Sequence, residues 1–487
     1  MIGSPPAPPG PELLKRGGHR ALPALLALAG VLAGCAVGPD YQRPTTELPP
    51  AWSPVQAEPV PAAPLDAAWW RRFDDPLLTQ LVERSLAANT DVRIARARLR
   101  SARAASVQAE SQLWPGVNAY GSATRSSDAG QNPASSYGLG FDAVWEIDLF
   151  GGLRRGVEAA DADAAASAAT LASTQVSLAA EVARDYVLLR AYQLRISITQ
   201  ANLDSQTQTL QISEWRAQAG LVGQLDVEQA RSNREQTRAQ LPTLQDAATQ
   251  TINALAVLLN EAPGTLAPEL SAAAVPTIPG ASAQPLAGVP ADLLRRRPDI
   301  VAAERSLAAA SARIGVAEAA LYPSLSLSGT LGLQGAVLSA LSGSAAATRL
   351  IAAGLGAPIF DAGRLRQQVV IRTAEQEEAL AAYEAALFGA LRDVENARAS
   401  MANGQARGAA LALAVQAARN AALLANFRYR SGLIDFQTVL DTERSVRTLE
   451  DSQASTRADT VIAMIQLYKA LGGGWSVDPS NASGTPP

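Results

Sequence analysis

The groups best suited to chemistry are scarce in this chain and crowd its first 35 residues. The single thiol, Cys35, and the single imidazole, His19, lie there, and Lys15 and Lys469 are the only lysines among 487 residues. Most acid–base, nucleophilic and metal-site schemes draw on thiols, imidazoles or a lysine of shifted pKa. Past Cys35 a carboxylate-only or serine–lysine enzyme remains open, the lysine route being nearly closed because Lys469 is the one lysine left. No glycine-rich loop offers a phosphate cradle, and Gly472-Gly473-Gly474 only ends the last helix. These residues argue against an enzyme, a metal site or a cofactor. Net charge is −4 with 48% apolar residues, which gives little support to a nucleic-acid partner. The basic stretch Arg93, Arg96, Arg98, Arg100 and Arg103 reads as a solvated or ion-paired helix face.

Cys35 closes a recognisable address. Lys15, Arg16, His19 and Arg20 precede an apolar run over 21–33, too short for a stable anchor and suited to a secretory signal. The run ends in Leu32-Ala33-Gly34-Cys35, which resembles the lipobox of bacterial lipoproteins. That resemblance implies removal of residues 1–34 and acylation of Cys35, with each buried methylene adding about 0.8 kcal/mol of membrane affinity. Ala36 stands where an inner-membrane retention signal would carry aspartate. The plainer alternative is an ordinary signal followed by a buried cysteine.

The remainder repeats itself. Asn89-Thr90-Asp91-Val92 is echoed by Arg297-Pro298-Asp299-Ile300, and Leu113-Trp114-Pro115 by Leu321-Tyr322-Pro323, at one offset of 208 residues. Further on the offset is 212, pairing Gly151 with Gly363, Arg216 with Arg428 and Gly220-Leu221 with Gly432-Leu433. So constant a register predicts a duplicated domain, with repeats at 77–262 and 291–474. Residues 35–76 read as an extended segment, 263–290 as a Pro/Ala-rich linker and 475–487 as a disordered tail.

Each repeat reads as a helix, a strand pair and a very long helical hairpin. Residues 77–113 lack Gly and Pro and predict one helix, ended by Pro115 and Gly116. Tyr137, Leu139, Phe141, Ala143, Trp145 and Ile147 then alternate with more polar neighbours, as strands do. Strand pairs are expected within 117–148 and 324–360, each strand about ten residues long, enough to cross a bilayer when tilted. Phe141 and Trp145 suit lipid contact or an interfacial belt. Helical hairpins are expected over 153–260 and 364–471. The first arm would be about 90 Å long for sixty residues. Pro242 predicts an interruption in the first hairpin, and Gly389, Gly404 and Gly408 predict looseness in the second.

Four strands cannot close a barrel, for which eight is about the minimum. In lipid an unpaired sheet edge is prohibitively costly. Several copies must therefore pool their strands around a common axis. The expected fold is an α+β membrane protein in which the strands line a hollow lumen and the hairpins extend it.

The start Cys35-Ala36-Val37-Gly38-Pro39-Asp40-Tyr41, Trp69-Trp70 with Asp75-Pro76-Leu77, Arg295-Arg296-Arg297-Pro298-Asp299-Ile300 and Gly363-Arg364-Leu365-Arg366 together resemble the TolC-like outer membrane factors, in their NodT-type lipoprotein branch. The likeness covers nearly the whole mature chain. It implies a homotrimer with a 12-stranded barrel in the outer membrane, four strands per chain, continued by a periplasmic helical barrel. It also implies passive efflux of drugs or small solutes, with a periplasmic adaptor and an inner-membrane pump of the RND type as partners.

The same likeness suggests site residues. Gly220, Leu221, Val222, Gly432, Leu433 and Ile434 fall at the hairpin tips, where the family meets its adaptor; alternatively the glycines only permit the turns. Asp441, with Tyr429 on the preceding helix, matches a position that forms an acidic ring at a closed periplasmic gate. A lone solvated acid is the plainer reading. Thr438 stands where some relatives carry a second acid. The same fold also serves type I secretion and metal export, and a coiled-coil lipoprotein tethering the envelope is a rival of another class.

Overall fold

The computed structural model describes residues 36–45, 68–127, 132–271, 277–280, 296–343 and 346–473. The signal at 1–34, Cys35, most of the linker at 263–290 and the tail at 475–487 lie outside the described residues. Twelve regular elements follow one another: α1 (Pro76–Ala88), α2 (Thr90–Ser111), β1 (Gly116–Ser126), β2 (Ala134–Ile147), α3 (Gly152–Gln218), α4 (Gln224–Leu258), the short α5 (Ala267–Ser271), α6 (Pro298–Ala319), β3 (Ser324–Gly335), β4 (Ala347–Gly356), α7 (Arg364–Arg430) and α8 (Phe436–Ala470). Single-turn 3₁₀ helices occupy Trp69–Phe73 and Leu338–Ser342.

The chain forms two compact units. One comprises Met1–Pro44, Ser101–Ala165 and Arg305–Ala381. It holds a four-stranded antiparallel sheet in the order β1-β2-β3-β4. β2 pairs with β3 from Tyr137↔Gly335 to Ile147↔Leu325, so strands separated by the whole first hairpin lie side by side. The second strand pair lies within the expected 324–360, and β4 ends at Gly356. Pro358 follows and has no N–H for the ladder. Ile359 and Phe360 stand exposed at 93% and 90%. In this unit Gly38, at φ +92°, rests on Gly315, where a Cβ would come within 2.4 Å of the Gly315 backbone.

The second unit comprises Thr45–Arg100, Ala166–Glu304 and Ala382–Pro487. Its main core gathers Trp69, Leu78, Leu81, Tyr186, Leu189, Leu255, Tyr383, Ile465 and Tyr468. Trp69 stacks on Tyr468 with centroids 5.2 Å apart. Asp75 caps α1 by accepting from Leu77 N and Leu78 N at 3.0 Å, and its other oxygen accepts the Tyr186 hydroxyl at 2.7 Å. A smaller cluster holds Leu210, Val227, Ala230, Ala425, Tyr429, Phe436, Val439 and Leu440.

Two helical expectations need correcting. Residues 77–113 are two helices, because the Asn89 side chain accepts from Asp91 N at 2.8 Å and so starts α2 as a fresh helix. Pro242 does not interrupt α4, which runs unbroken through it. The hydrogen bond lost there is outweighed by buried residues on both sides, including Thr237, Leu244, Ala248 and Ile252. α7 runs from Arg364 to Arg430 through its three glycines. A Cβ on Gly404 would meet Thr460 Oγ1 of α8 at 2.5 Å, so this glycine marks a close approach of two helices.

Candidate functional site

The four strands form a wall with two chemically distinct faces. Residues alternate across the sheet plane, and the register aligns Ala119, Phe141, Leu331 and Arg349 on one face. Leu139, Phe141, Leu331, Ile351 and Leu355 on that face are 56–83% exposed. The opposite face carries Asn118, Tyr120, Ser122, Asp142, Glu146, Ser326, Ser328 and Thr330. There Tyr120 lies over the paired Gly140 and Gly332, and a Cβ on either would come within 3.1 Å of its hydroxyl. β1 and β4 each pair on one side only. Trp145, at the helix end of β2, donates its indole N–H to Leu113 O at 2.9 Å.

At the hairpin turns, Gly220 and Gly432 adopt φ +72° and +73°. Each closes the same pair of bonds: Leu221 N to Arg216 O with Gly220 N to Ala217 O, and Leu433 N to Arg428 O with Gly432 N to Tyr429 O. This is the Schellman arrangement, in which a left-handed residue satisfies the last helical carbonyls. The glycines are thereby accounted for by the turns themselves. Leu221 and Leu433, however, stay 67% and 73% exposed. Val222 is half-buried, and Ile434 packs against the small cluster.

Asp441 and Tyr429 are placed very differently. Asp441 is exposed on α8; its Oδ1 accepts from Gln437 Nε2 at 3.0 Å and lies 3.5 Å from Arg444 Nη1. Tyr429 is buried, with its ring 5.1 Å from that of Phe436. Arg216 of α3 lies over that ring, Cζ 4.4 Å from the centroid, and Nη1 donates to Tyr429 O at 2.6 Å. Thr438 is engaged at the start of α8, where Asp435 accepts from its backbone N at 3.0 Å and its hydroxyl at 2.6 Å. Those bonds hold the Asp435 carboxyl below its ordinary range.

Sequence reasoning missed three residues. Arg216 entered it only as a repeat marker. Glu443 is buried against Thr209, whose hydroxyl donates to Oε1 at 2.8 Å, and burial pushes its carboxyl up. Arg155 reaches Asp40 at 2.6 Å and Glu158 at 2.7 Å, and donates weakly to Val37 O and Gly38 O, both at 3.4 Å. It thus seats the segment just after Cys35. Nothing in the local pattern around either residue announces these long-range partners. No group of three or more potential metal ligands occurs among the described residues.

The family described as "Outer membrane efflux protein" matches residues 81–261 and 289–473. Probable efflux pump outer membrane protein TtgC of Pseudomonas putida is 33% identical over 474 residues, covering 94% of this chain and 96% of the relative. Pyoverdine export outer membrane protein OpmQ of the same species is 35% identical over 448 residues, covering 88% and 93%. Among solved structures, the outer-membrane channel OprN superposes with a TM-score of 0.84 at 38% identity, covering 91% of this chain and all of that one.

Proposed function

Because the chain belongs to the outer membrane efflux protein family of TolC-like channels, we propose that it is the exit duct of a tripartite efflux pump, a passive homotrimer spanning the outer membrane. The family consists of channels rather than enzymes, which agrees with a mature chain poor in catalytic groups. The observation that carries the reading is the open sheet: four strands, two edges each paired on one side, and one face rich in exposed leucine, isoleucine and phenylalanine. Three copies would supply twelve strands, join β4 of one copy to β1 of the next and leave no edge in lipid. The face bearing Asp142, Glu146 and the serines would then line the lumen.

The finer assignments rest on this frame. Cys35, acylated after removal of residues 1–34, would anchor the chain where Arg155 seats residues 37–40. Gly220, Leu221, Val222, Gly432, Leu433 and Ile434 would meet a periplasmic adaptor, with the exposed leucines as its apolar contacts. Asp441 would supply the acidic ring of a periplasmic gate. Tyr429 would act from the protein interior, holding the α7 arm through Arg216. The pump is of the RND class in this reading, and the cargo is a drug or other small solute. Relatives named for efflux and for pyoverdine export support small cargo over secreted polypeptide.

Planar-bilayer recording with heat-modifiable gel migration tests the frame. Discrete conductance steps and an oligomer that dissociates on heating are the expected outcome. A mature chain stable as a monomer in water without detergent would overturn it.

A further inference from the structure

The strands segregate charge by face. On the face shared by Phe141, Leu331 and Ile351, the only charged strand residues are Arg125 of β1 and Arg349 of β4. On the opposite face the only charged strand residues are Asp142 and Glu146. Both arginines are exposed, and neither enters an ion pair among the described residues. Each lies near the loop end of its own strand, with the register setting Arg349 level with Phe141 and Ala119, six residues from Arg125 along β1. Arg125 immediately precedes Ser126, where β1 enters the loop to β2, and Arg349 lies just inside Ala347, where β4 leaves the loop from β3. The opposite ends of the four strands run into α2, α3, α6 and α7.

That placement has a physical logic if the apolar face meets lipid. An arginine on the lipid face costs about 2–4 kcal/mol at the bilayer midplane and close to nothing at the interface. Placed by a strand end, its stem can lie along apolar surface while the guanidinium reaches the headgroups. The guanidinium is a planar fork of donors that matches phosphate oxygens two at a time. No carboxylate among the strand residues of this face competes for it.

We propose that Arg125 and Arg349 seat the phosphate groups of the outer-leaflet lipid, the phosphorylated glucosamine headgroup of lipopolysaccharide. The proposal rests on the channel reading above, which puts the loop end of the sheet at the cell exterior. In the closed barrel β4 of one copy adjoins β1 of the next, so Arg349 and Arg125 of neighbouring copies flank the same seam.

The test uses the full mature oligomer in phosphatidylcholine nanodiscs doped with diphosphoryl lipid A, with retained lipid counted by native mass spectrometry. Each arginine is expected to contribute about fivefold to retention, so Arg125→Gln with Arg349→Gln lowers it roughly 25-fold. Dephosphorylated lipid A binds weakly to both proteins. Arg125→Lys with Arg349→Lys, which keeps the charge and loses the fork, falls between wild type and the glutamine pair. If the glutamine pair fails to assemble, the lysine pair alone decides: retention equal to wild type overturns the proposal. Equal retention by wild type and the glutamine pair also overturns it, as does displacement of lipid A by inorganic phosphate, which would mark a free-anion site. Gel migration and conductance on the same samples separate the failures. A wild type that neither oligomerises nor conducts sinks the channel reading, whereas an intact conducting oligomer with indifferent lipid retention sinks only the seat.

Discussion

Arg216 and Tyr429 join the two hairpins just above their tips: the guanidinium carbon lies 4.4 Å from the tyrosine centroid while Nη1 donates to the tyrosine carbonyl at 2.6 Å. A cation over an aromatic face contributes about 0.5–2 kcal/mol, and a charge-assisted hydrogen bond about 1.5–3. The same carbonyl already accepts Gly432 N in the turn, so one arginine ties a turn of the second hairpin to a helix of the first. Arg216→Met should destabilise this end by about 2 kcal/mol, with little change elsewhere. Hydrogen exchange at residues near 216 and 429 should speed up while the core around Tyr186 stays protected, and resting conductance should rise. Unchanged exchange at the tips would show the contact to be idle.

Gly404 and Gly408 make a matched pair. A Cβ at Gly404 would fall 2.5 Å from Thr460 Oγ1, whereas at Gly408 the nearest atom is Thr456 Cγ2 at 4.0 Å. Gly404→Ala should therefore destabilise by about 1–3 kcal/mol through overpacking. Gly408→Ala should stabilise by about 0.5–1 kcal/mol, since alanine is the better helix former. Melting of the detergent-solubilised protein measures both, and equal shifts would remove the distinction.

That pair also shows where local pattern stops being informative. Glycine in a helical run reads as weakness when only its propensity is considered. Whether it is weakness or fit depends on what faces it, here a threonine on another helix. Pro242 is the same case, since packing on both sides carries α4 across it. Asn89 was legible in principle as a helix cap, but a Gly- and Pro-free run from 77 to 113 masked it. By contrast, alternation exposed β2 and β3 directly, because a half-buried strand imprints its period on the sequence. Their pairing with each other did not appear there, as it spans the first hairpin. The turn glycines were legible because φ near +72° admits few other residues. Arg216, Arg155 and Glu443 act on distant partners and leave no local trace.

Arg155 grips the segment after Cys35 from several directions, with two carboxylates and two carbonyls in reach. Asp40 is largely solvent-exposed, so its ion pair alone is worth no more than about 1 kcal/mol. Arg155→Met should release residues 37–40 without unfolding the sheet. The expected result is faster proteolysis near Asp40 with unchanged thermal melting. Resistance equal to wild type would assign the seat to the Gly38–Gly315 contact instead.

Asp441 is partly neutralised by Arg444 at 3.5 Å. If three copies bring this carboxylate to one opening, removing it relieves mutual repulsion and removes an attraction for cations. Asp441→Ala should reduce cation over anion preference and change resting conductance, and Arg444→Ala should sharpen cation preference. Bilayer recordings under a salt gradient read both. Two variants with wild-type reversal potentials would return Asp441 to the status of a solvated surface acid.

Glu443 sits two residues further along α8 and faces inward. Burial holds its carboxyl above the ordinary 4.5, against the opposing hydrogen bonds from Thr209 and Asn426. A raised value in the folded state means that folding favours the protonated form. Its contribution to stability is therefore fully present below pH 4.5 and is lost as pH rises through the folded value. Glu443→Gln keeps an acceptor for the Thr209 hydroxyl and removes the buried charge. The variant should melt higher than wild type at neutral pH, and the gap should close as pH falls toward 4.5. Melting curves across that window decide the matter, because a gap that does not vary with pH would mean the carboxyl does not titrate there.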